Sequence, residues 1–497
     1  MVFSREAFNE IAHRRVIVLD GAMGAVLQSY RDSDGRRLLE ADFRGERFRG
    51  HPQPLKGCND LLCLTQPQIV SQIHEAYLRS GADIIETCSF NATAVSLAPY
   101  ALADFAYEIN TSAARLARSA ADAFSTPERP RFVAGSMGPT AKSASIAPDL
   151  NDPSKRSVSW DELEAAYYDS ACGLLDGGSH FFLIETMFDS LNAKAAIFAV
   201  KRLGCERALD LPIIVSATVS DNGRLLSGQS VEAFCASALY CNPLALGLNC
   251  SFGAQALKPY IAALSACAPC LVSAYPNAGF PNHEGAYEQS PETMADCLEA
   301  YLSEGLVNIV GGCCGSTPEH IAAIAERAKK YPPRTVPAAG GRAMLSGLDA
   351  FELSGELESS VRSGALASQA YRSEFNRLLK ERNYDGAVEL LRDAVDGGAA
   401  LVDVYIDDEL QDAEEAVSCF LNLALQYAGI ARRPVALDSS RWEVVEAALK
   451  CLQGRCVVNF ARLESCDPDE MERRLALVDA YGAAAVREGG DADVLAD

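Results

Sequence analysis

Cys313 and Cys314 stand side by side in NIVGGCCGSTPEHI, where an apolar run gives way to a glycine-flanked turn, and Cys250 comes late in a second apolar run, LALGLNCSFG. Neighbouring side chains on a regular strand point to opposite faces, so adjacent cysteines reach one metal only where the strand has broken into a loop. Gly311, Gly312 and Gly315 are expected to supply that freedom. Zinc held by three protein ligands keeps a fourth position for water or substrate, whereas a structural zinc site is closed by a fourth protein ligand. Cys250, Cys313 and Cys314 therefore predict a catalytic zinc centre. A free thiol titrates near pKa ~8.5, and a cation that coordinates it removes its proton.

The elements that must carry these residues repeat along the chain. Eight short apolar runs recur: RRVIVLDGAMG, ADIIETCSF, RFVAGSMGP, FFLIETMFD, PIIVSATVS, LALGLNCSF, CLVSAYPNAG and VNIVGGCCG. Most are followed by stretches such as PQIVSQIHEAYLRSG, whose apolar residues fall at helical intervals. Eight strand–helix units predict an α/β fold of the (β/α)8 barrel type, with its polar motifs at the C-terminal strand ends, where sites of this architecture sit. Strands six and eight have the same parity, so their cysteines are expected to meet over the barrel mouth. The opening MVFSREAFNEIAHRR reads as an amphipathic helix.

Residues 1–330 are thus assigned to the barrel. The Pro-, Gly- and Ala-rich stretch 331–344 reads as a linker, and 345–497 as a smaller, partial α/β barrel-like domain with four strands and a fifth near Phe351. A formal charge of −23, from 44 basic and 67 acidic residues, argues against nucleic acid or an anionic membrane as a partner. The N-terminus lacks a signal peptide's apolar stretch and cleavage site, so a cytoplasmic location is expected. In that setting the seventeen cysteines read as thiols and metal ligands rather than a disulfide framework. Cys58, Cys63, Cys88, Cys172 and Cys235 read as core or rim residues, and His320 as a surface group in a first helical turn.

Taken in order, LDGAMGAVLQ, GCNDLLCLTQP, GADIIETCSFNAT, GPTAKSASIAPDLND, IETMFDSLNAKAA, GLNCSFG, YPNAGFPN and NIVGGCCGSTPEHIAAI resemble the homocysteine module of cobalamin-dependent methionine synthases. The resemblance puts that family's zinc ligands on Cys250, Cys313 and Cys314. It implies a methionine-forming homocysteine S-methyltransferase in which zinc-bound homocysteine thiolate attacks a methyl donor. Asp20, Gly21, Ala22, Met23 and Gly24 then form a turn whose N–H groups hold the substrate α-carboxylate. Glu185 is the expected partner of its ammonium, supported by Asp20 and Glu86, while Asn249 and Ser273 orient the ligands from behind.

LSGL, DGGAALVDV, LDSSRWEVVEAALKCLQG and YGAA resemble the folate-binding module that follows in the same family. That family's Val-Gly-Glu-Arg-Thr-Asn run is replaced by FELSGELESSVRSG, Tyr405 stands where a pterin-contacting Asn is expected, and an Asn-Ser-Ile-Ser segment reads Asn459, Phe460, Ala461, Arg462. Asp403 and Asp438 remain. These departures argue against methyltetrahydrofolate binding. The cobalamin-binding Asp-x-His-x-x-Gly motif is absent, so methylcobalamin is expected on a separate corrinoid-carrying protein. The shortened second unit is expected to present that partner or to close over the first barrel. Other readings stay open: a transferase using betaine or S-methylmethionine, a non-catalytic zinc- or homocysteine-binding subunit, and a thiol redox protein.

Overall fold

In the computed structural model the residues described are 3–32, 34–149, 151–283, 285–338, 343–354, 368–406, 410–459 and 467–486. The eight predicted strands all form: β1 Ile17–Val18, β2 Ile84–Glu86, β3 Phe132–Met137, β4 Phe181–Met187, β5 Ile213–Ala217, β6 Ala245–Gly253, β7 Leu271–Asn277 and β8 Ile309–Val310. They pair in parallel in the order β1-β8-β7-β6-β5-β4-β3-β2, and a parallel bridge between Leu19 and Ile84 joins the two ends into a nearly closed barrel. Inward-facing Ile17, Ile84, Phe132, Phe181, Ile214, Leu271 and Ile309 fill the interior. The predicted N-terminal helix, Arg5–Arg14, plugs the bottom of the barrel, with its Phe8 ring 5.1 Å from Phe132 and 5.6 Å from Phe181. At the same end the fully buried Asp83 carboxylate is met by Arg15 at 2.6 Å and Arg129 at 3.1 Å.

The predicted linker is in part a fixed element of the barrel. Arg334 is buried, and its guanidinium donates to the carbonyls of Ser265, Ala268 and Cys270 and to Ser265 Oγ, while Asn308 Nδ2 holds its carbonyl at 2.8 Å. Five carbonyl and hydroxyl contacts of this kind are invisible to a composition rule that sees only Pro, Gly and Ala.

A second parallel sheet follows in the order β11-β12-β13-β14: β11 Val402–Tyr405, β12 Val435–Asp438, β13 Val457–Asn459 and β14 Ala484–Val486. The strand expected near Phe351 exists but joins elsewhere. β9 Met344–Ser346 and β10 Ala350–Glu352 pair antiparallel with each other, outside the four-stranded sheet. The divergent residues 355–367 and Phe460, Ala461 and Arg462 lie outside the described residues.

The second unit docks on the flank of the barrel rather than over its mouth. The Tyr481 ring packs at a tilt, its centroid 5.3 Å from that of Trp160 and 4.7 Å from that of Phe198, on the helices Trp160–Gly177 and Ser190–Arg207. Lys194 is fully buried and donates Nζ to the carbonyls of Leu452 at 2.9 Å and Gly454 at 3.1 Å. Burial draws that ammonium down to about 8. Closure over the first barrel is therefore not the arrangement adopted, because these apolar and carbonyl contacts fix the unit to the outer helices.

Candidate active site

Two irregular strand ends bring the sulfurs together. The pairing of β6 with β7 shifts register between Asn249 and Gly253, and Cys250 and Ser251 adopt left-handed backbone with φ of 62° and 59°. Non-glycine residues adopt that conformation uncommonly, and two in succession within a strand mark local strain. Beyond β8, Gly315 turns with φ 80°, whereas Gly311 and Gly312 serve close approach: an added Cβ would lie 2.8 Å from Leu19 Cβ and 2.5 Å from Ser316 Oγ. Cys313 N donates to Pro276 O and Ala278 N to Cys314 O, which pins the loop against the end of β7.

The three Sγ atoms of Cys250, Cys313 and Cys314 lie within 4.8 Å of one another, with Cys250 and Cys314 3.9 Å apart. Tetrahedral zinc with Zn–S bonds of about 2.3 Å requires S···S separations of about 3.8 Å. The geometry fits the ion. Among the described residues no other group of His, Cys, Asp and Glu gathers so closely. Three sulfurs this near cannot all ionise without a cation: the Cys314 thiolate, accepting from the Cys250 and Cys313 thiols, is drawn down to about 3, while the same sharing pushes Cys313 well above the usual thiol range.

Asn249 braces both irregular strands. Its Oδ1 accepts from Ser216 Oγ at 2.7 Å and from the N–H of left-handed Thr186 at 3.1 Å, and its Nδ2 donates to Thr186 Oγ1 at 2.7 Å and points at Cys313 Sγ, 3.9 Å away. Ser273, the other residue expected behind the ligands, sits a layer deeper, against Gly247 and Ser216, and is not part of the cleft wall.

The sulfurs open into a cleft of about 750 Å³ whose wall includes Asp20 to Gly24, Glu86 and Glu185. Glu185 is buried and held by Ser136 Oγ at 2.5 Å; burial pushes it up to about 7. Asp20 Oδ2 accepts from Glu86 N at 3.1 Å, while its buried Oδ1 has no partner among the described residues. Burial, then repulsion from neighbouring carboxylates, drives Glu86 well above the carboxylate range, and burial does the same to Asp20. Asp60, which the sequence reading missed, adds a fourth acid, buried like Asp20 and Glu185 while Glu86 is half-buried, and burial raises it to about 6. Against these four the described wall offers one cationic side chain, the exposed Arg37.

The turn Asp20–Gly24 is tied to the sulfur loop. Ser316 Oγ donates to Cys313 O at 2.6 Å and accepts from Ala22 N at 3.2 Å, and Tyr77 Oη bridges Ala22 O and Ser316 O. A Cβ on Gly21 would lie 2.7 Å from Ser316 Oγ. The helix Met23–Ser29 starts here, so the N–H groups of Met23 and Gly24 have no acceptor within it. Ser136, Thr186, Ser316 and Tyr287, which lines the cleft and packs on Gly315, were not singled out from sequence. Three of them, Ser136, Thr186 and Ser316, stand next to or within the strand-end motifs, and that position was the available signal.

Residues 17–328 match the homocysteine S-methyltransferase family. The chain belongs to that family. Residues 372–488 match the pterin-binding enzyme family, so a homocysteine S-methyltransferase unit and a pterin-binding-type unit share one chain. Solved structures similar to this homocysteine S-methyltransferase family member include Escherichia coli homocysteine methyltransferase MmuM. Its metallated form is 23% identical, over 64% of this chain and 98% of that one, with a TM-score of 0.48. Its oxidised form is 23% identical over 63% and 96%, also at 0.48.

Other expectations resolve plainly. His320 is buried, not exposed: its ring caps its own helix through Thr317 and meets Gln289 O at 2.9 Å. Cys58, Cys63, Cys88 and Cys235 are buried and Cys172 is half-buried, as core or rim residues should be. The chain has one Cys-x-x-Cys spacing, Cys267 to Cys270, at the opposite end of β7 from the cleft.

Proposed function

We propose that this chain makes methionine by placing a methyl group on the sulfur of homocysteine, using zinc on Cys250, Cys313 and Cys314 and methylcobalamin carried by another chain. One observation carries the reading: three sulfurs spaced for zinc share a cleft with four acids, three buried and Glu86 half-buried, that have no buried cation on the described wall. A sulfur trap beside an ammonium trap matches an amino-acid thiol.

Zinc, when bound, supplies the positive charge that strips a thiol of its proton near neutral pH. The protein's own groups do the rest. Glu185, oriented by Ser136, takes the α-ammonium together with the unpartnered Asp20 Oδ1 and Glu86. Met23 and Gly24 N–H groups take the α-carboxylate, and Ser316 keeps that turn in step with Cys313. Asn249 keeps Thr186 and the Cys250 strand in their left-handed conformations. Transfer forms the sulfur–carbon bond and breaks the bond from carbon to the donor, whose electron pair leaves with the donor; the thiol proton passes to solvent. A cytoplasmic location is part of the proposal, and no described helix is long and apolar enough to cross a membrane.

The test is elemental analysis of the purified chain followed by turnover with homocysteine and, separately, methylcobalamin, betaine and S-methylmethionine. One zinc per chain with turnover on methylcobalamin is expected. Turnover on betaine or S-methylmethionine alone would reassign the donor, and bound zinc without turnover on any donor would make the chain a binding subunit. A Cys314→Ala variant with stoichiometric zinc and full transfer would remove Cys314 from the ligand set.

A further inference from the structure

The second unit has its own acids on neighbouring strands. Asp403 lies within β11, two residues before its end, and Asp438 closes β12; both are buried. Between them lies Arg372, from the helix Gln369–Lys380. One of its terminal nitrogens is 3.1 Å from Asp403 Oδ2 and the other 3.1 Å from Asp438 Oδ2. Its guanidinium carbon lies 4.6 Å from the centroid of the Tyr405 ring. Asn459 Nδ2 donates to the same Asp438 oxygen at 3.2 Å, and Asn376 Nδ2 holds Tyr405 O at 3.1 Å.

A guanidinium is a flat N–C(–N)–N group with paired donors, stable when it lies on an aromatic face and bridges carboxylates. The 2-amino-4-oxopyrimidine edge of a pterin presents the same flat N–C–N donor pattern. The match of residues 372–488 to pterin-binding enzymes gives this end of the sheet a reason to be built for such a ring.

We infer that Arg372 is an internal stand-in for a pterin: its guanidinium fills the acid-lined, Tyr405-backed seat at the end of β11 and β12 and closes it to free pterins. The inference is independent of the homocysteine reading, since it concerns the other sheet. It adds a physical occupant to the departures seen in sequence.

The test uses the zinc-loaded full chain, titrated with pterin by fluorescence, as wild type and as Arg372→Ala. The wild type should show no saturable binding, and the variant should gain it, with at least a tenfold difference in Kd. The thermal midpoint lost in Arg372→Ala should return with methylguanidinium and not with equal methylammonium. Saturable binding to the wild type, or equal rescue by the two cations, would overturn the inference. If Arg372→Ala does not fold, Arg372→Lys, which keeps the charge without the paired donors, takes its place: gained pterin binding is expected, and its absence would overturn the inference.

Discussion

At the mouth of the barrel Asp20, Asp60, Glu86 and Glu185 surround a cleft with one exposed arginine on its wall, whereas at the matching end of the smaller sheet Asp403 and Asp438 are spanned by Arg372. All but the half-buried Glu86 are buried. Burying a carboxylate without a partner is costly, and proteins ordinarily answer the cost with a cation of their own, as Arg15 and Arg129 do for Asp83 at the barrel's other end. The second unit follows that habit: burial lifts Asp403 to about 6, with the charge of Arg372 pulling against it. The barrel mouth does not, and Glu185 sits at about 7 with hydroxyl partners alone among the described residues. Where the chain leaves the cation out, a ligand is expected to bring it.

The largest effect should follow from removing the best-placed of the uncompensated acids. Truncating one partner of a buried, hydrogen-bonded charge pair costs about 2–5 kcal/mol. Glu185→Gln keeps the shape and the Ser136 contact, so KM for homocysteine should rise by roughly two to three decades while zinc content stays at one per chain. A fall in kcat with KM unchanged would place the ammonium elsewhere and weaken the contrast between the two sites.

The contrast also has a pH signature in the metal-free, substrate-free protein. Glu185 has a folded pKa of about 7 against 4.5 for the free side chain. A raised acid binds its proton more tightly when folded, so its contribution is fully present below the unfolded value and is lost as pH rises through about 7. At ~1.4 kcal/mol per unit, about 3 kcal/mol of stability should disappear between pH 4 and pH 8. Denaturant titrations of wild type and Glu185→Gln should differ most near pH 8 and converge towards pH 4, because only the wild type gains on acidification. Parallel curves would mean that Glu185 already has a compensating partner.

How far these two sites could be read from sequence depends on what positions each residue. The cysteines, Glu185 and Asp20 follow strand-end motifs, and a parallel barrel gathers all its C-terminal strand ends in one place, so their convergence was legible. Ser273 shows the limit of that logic. It shares an inward face with Tyr275, but two residues of strand rise about 6.6 Å, and it is Tyr275 that reaches the cleft wall. Arg372 was hidden for another reason. It lies on a helix upstream of the strand it serves, and no periodicity connects it with Asp403 or Asp438, 31 and 66 positions on. Arg334 and His320 were misread because a composition rule assigns Pro-rich segments and helix starts to the surface, whereas each is held inside by specific carbonyl contacts.

The smallest predicted effect tests whether the mouth owes its geometry to a single brace. Asn249 precedes the left-handed Cys250 on β6 and meets the left-handed Thr186 of β4 and Ser216 of β5, and its amide nitrogen faces Cys313 Sγ. Asn249→Ala leaves the Thr186 N–H and Ser216 hydroxyl without that acceptor, a loss of about 1–3 kcal/mol in unfolding free energy. Groups behind a metal's ligands typically change its affinity by about 10- to 100-fold. Competition with a chelator should therefore show zinc held at least about tenfold more weakly, and Asn249→Gln should restore little, because the longer side chain cannot hold the amide between Thr186 and Ser216. A variant that loses stability yet holds zinc as tightly as wild type would show that the sulfur loop is set by Gly315 and the Pro276 contact alone. In that event the left-handed turn at Cys250 would be a property of β6 rather than of its neighbours, and the brace would belong to the fold instead of to the site.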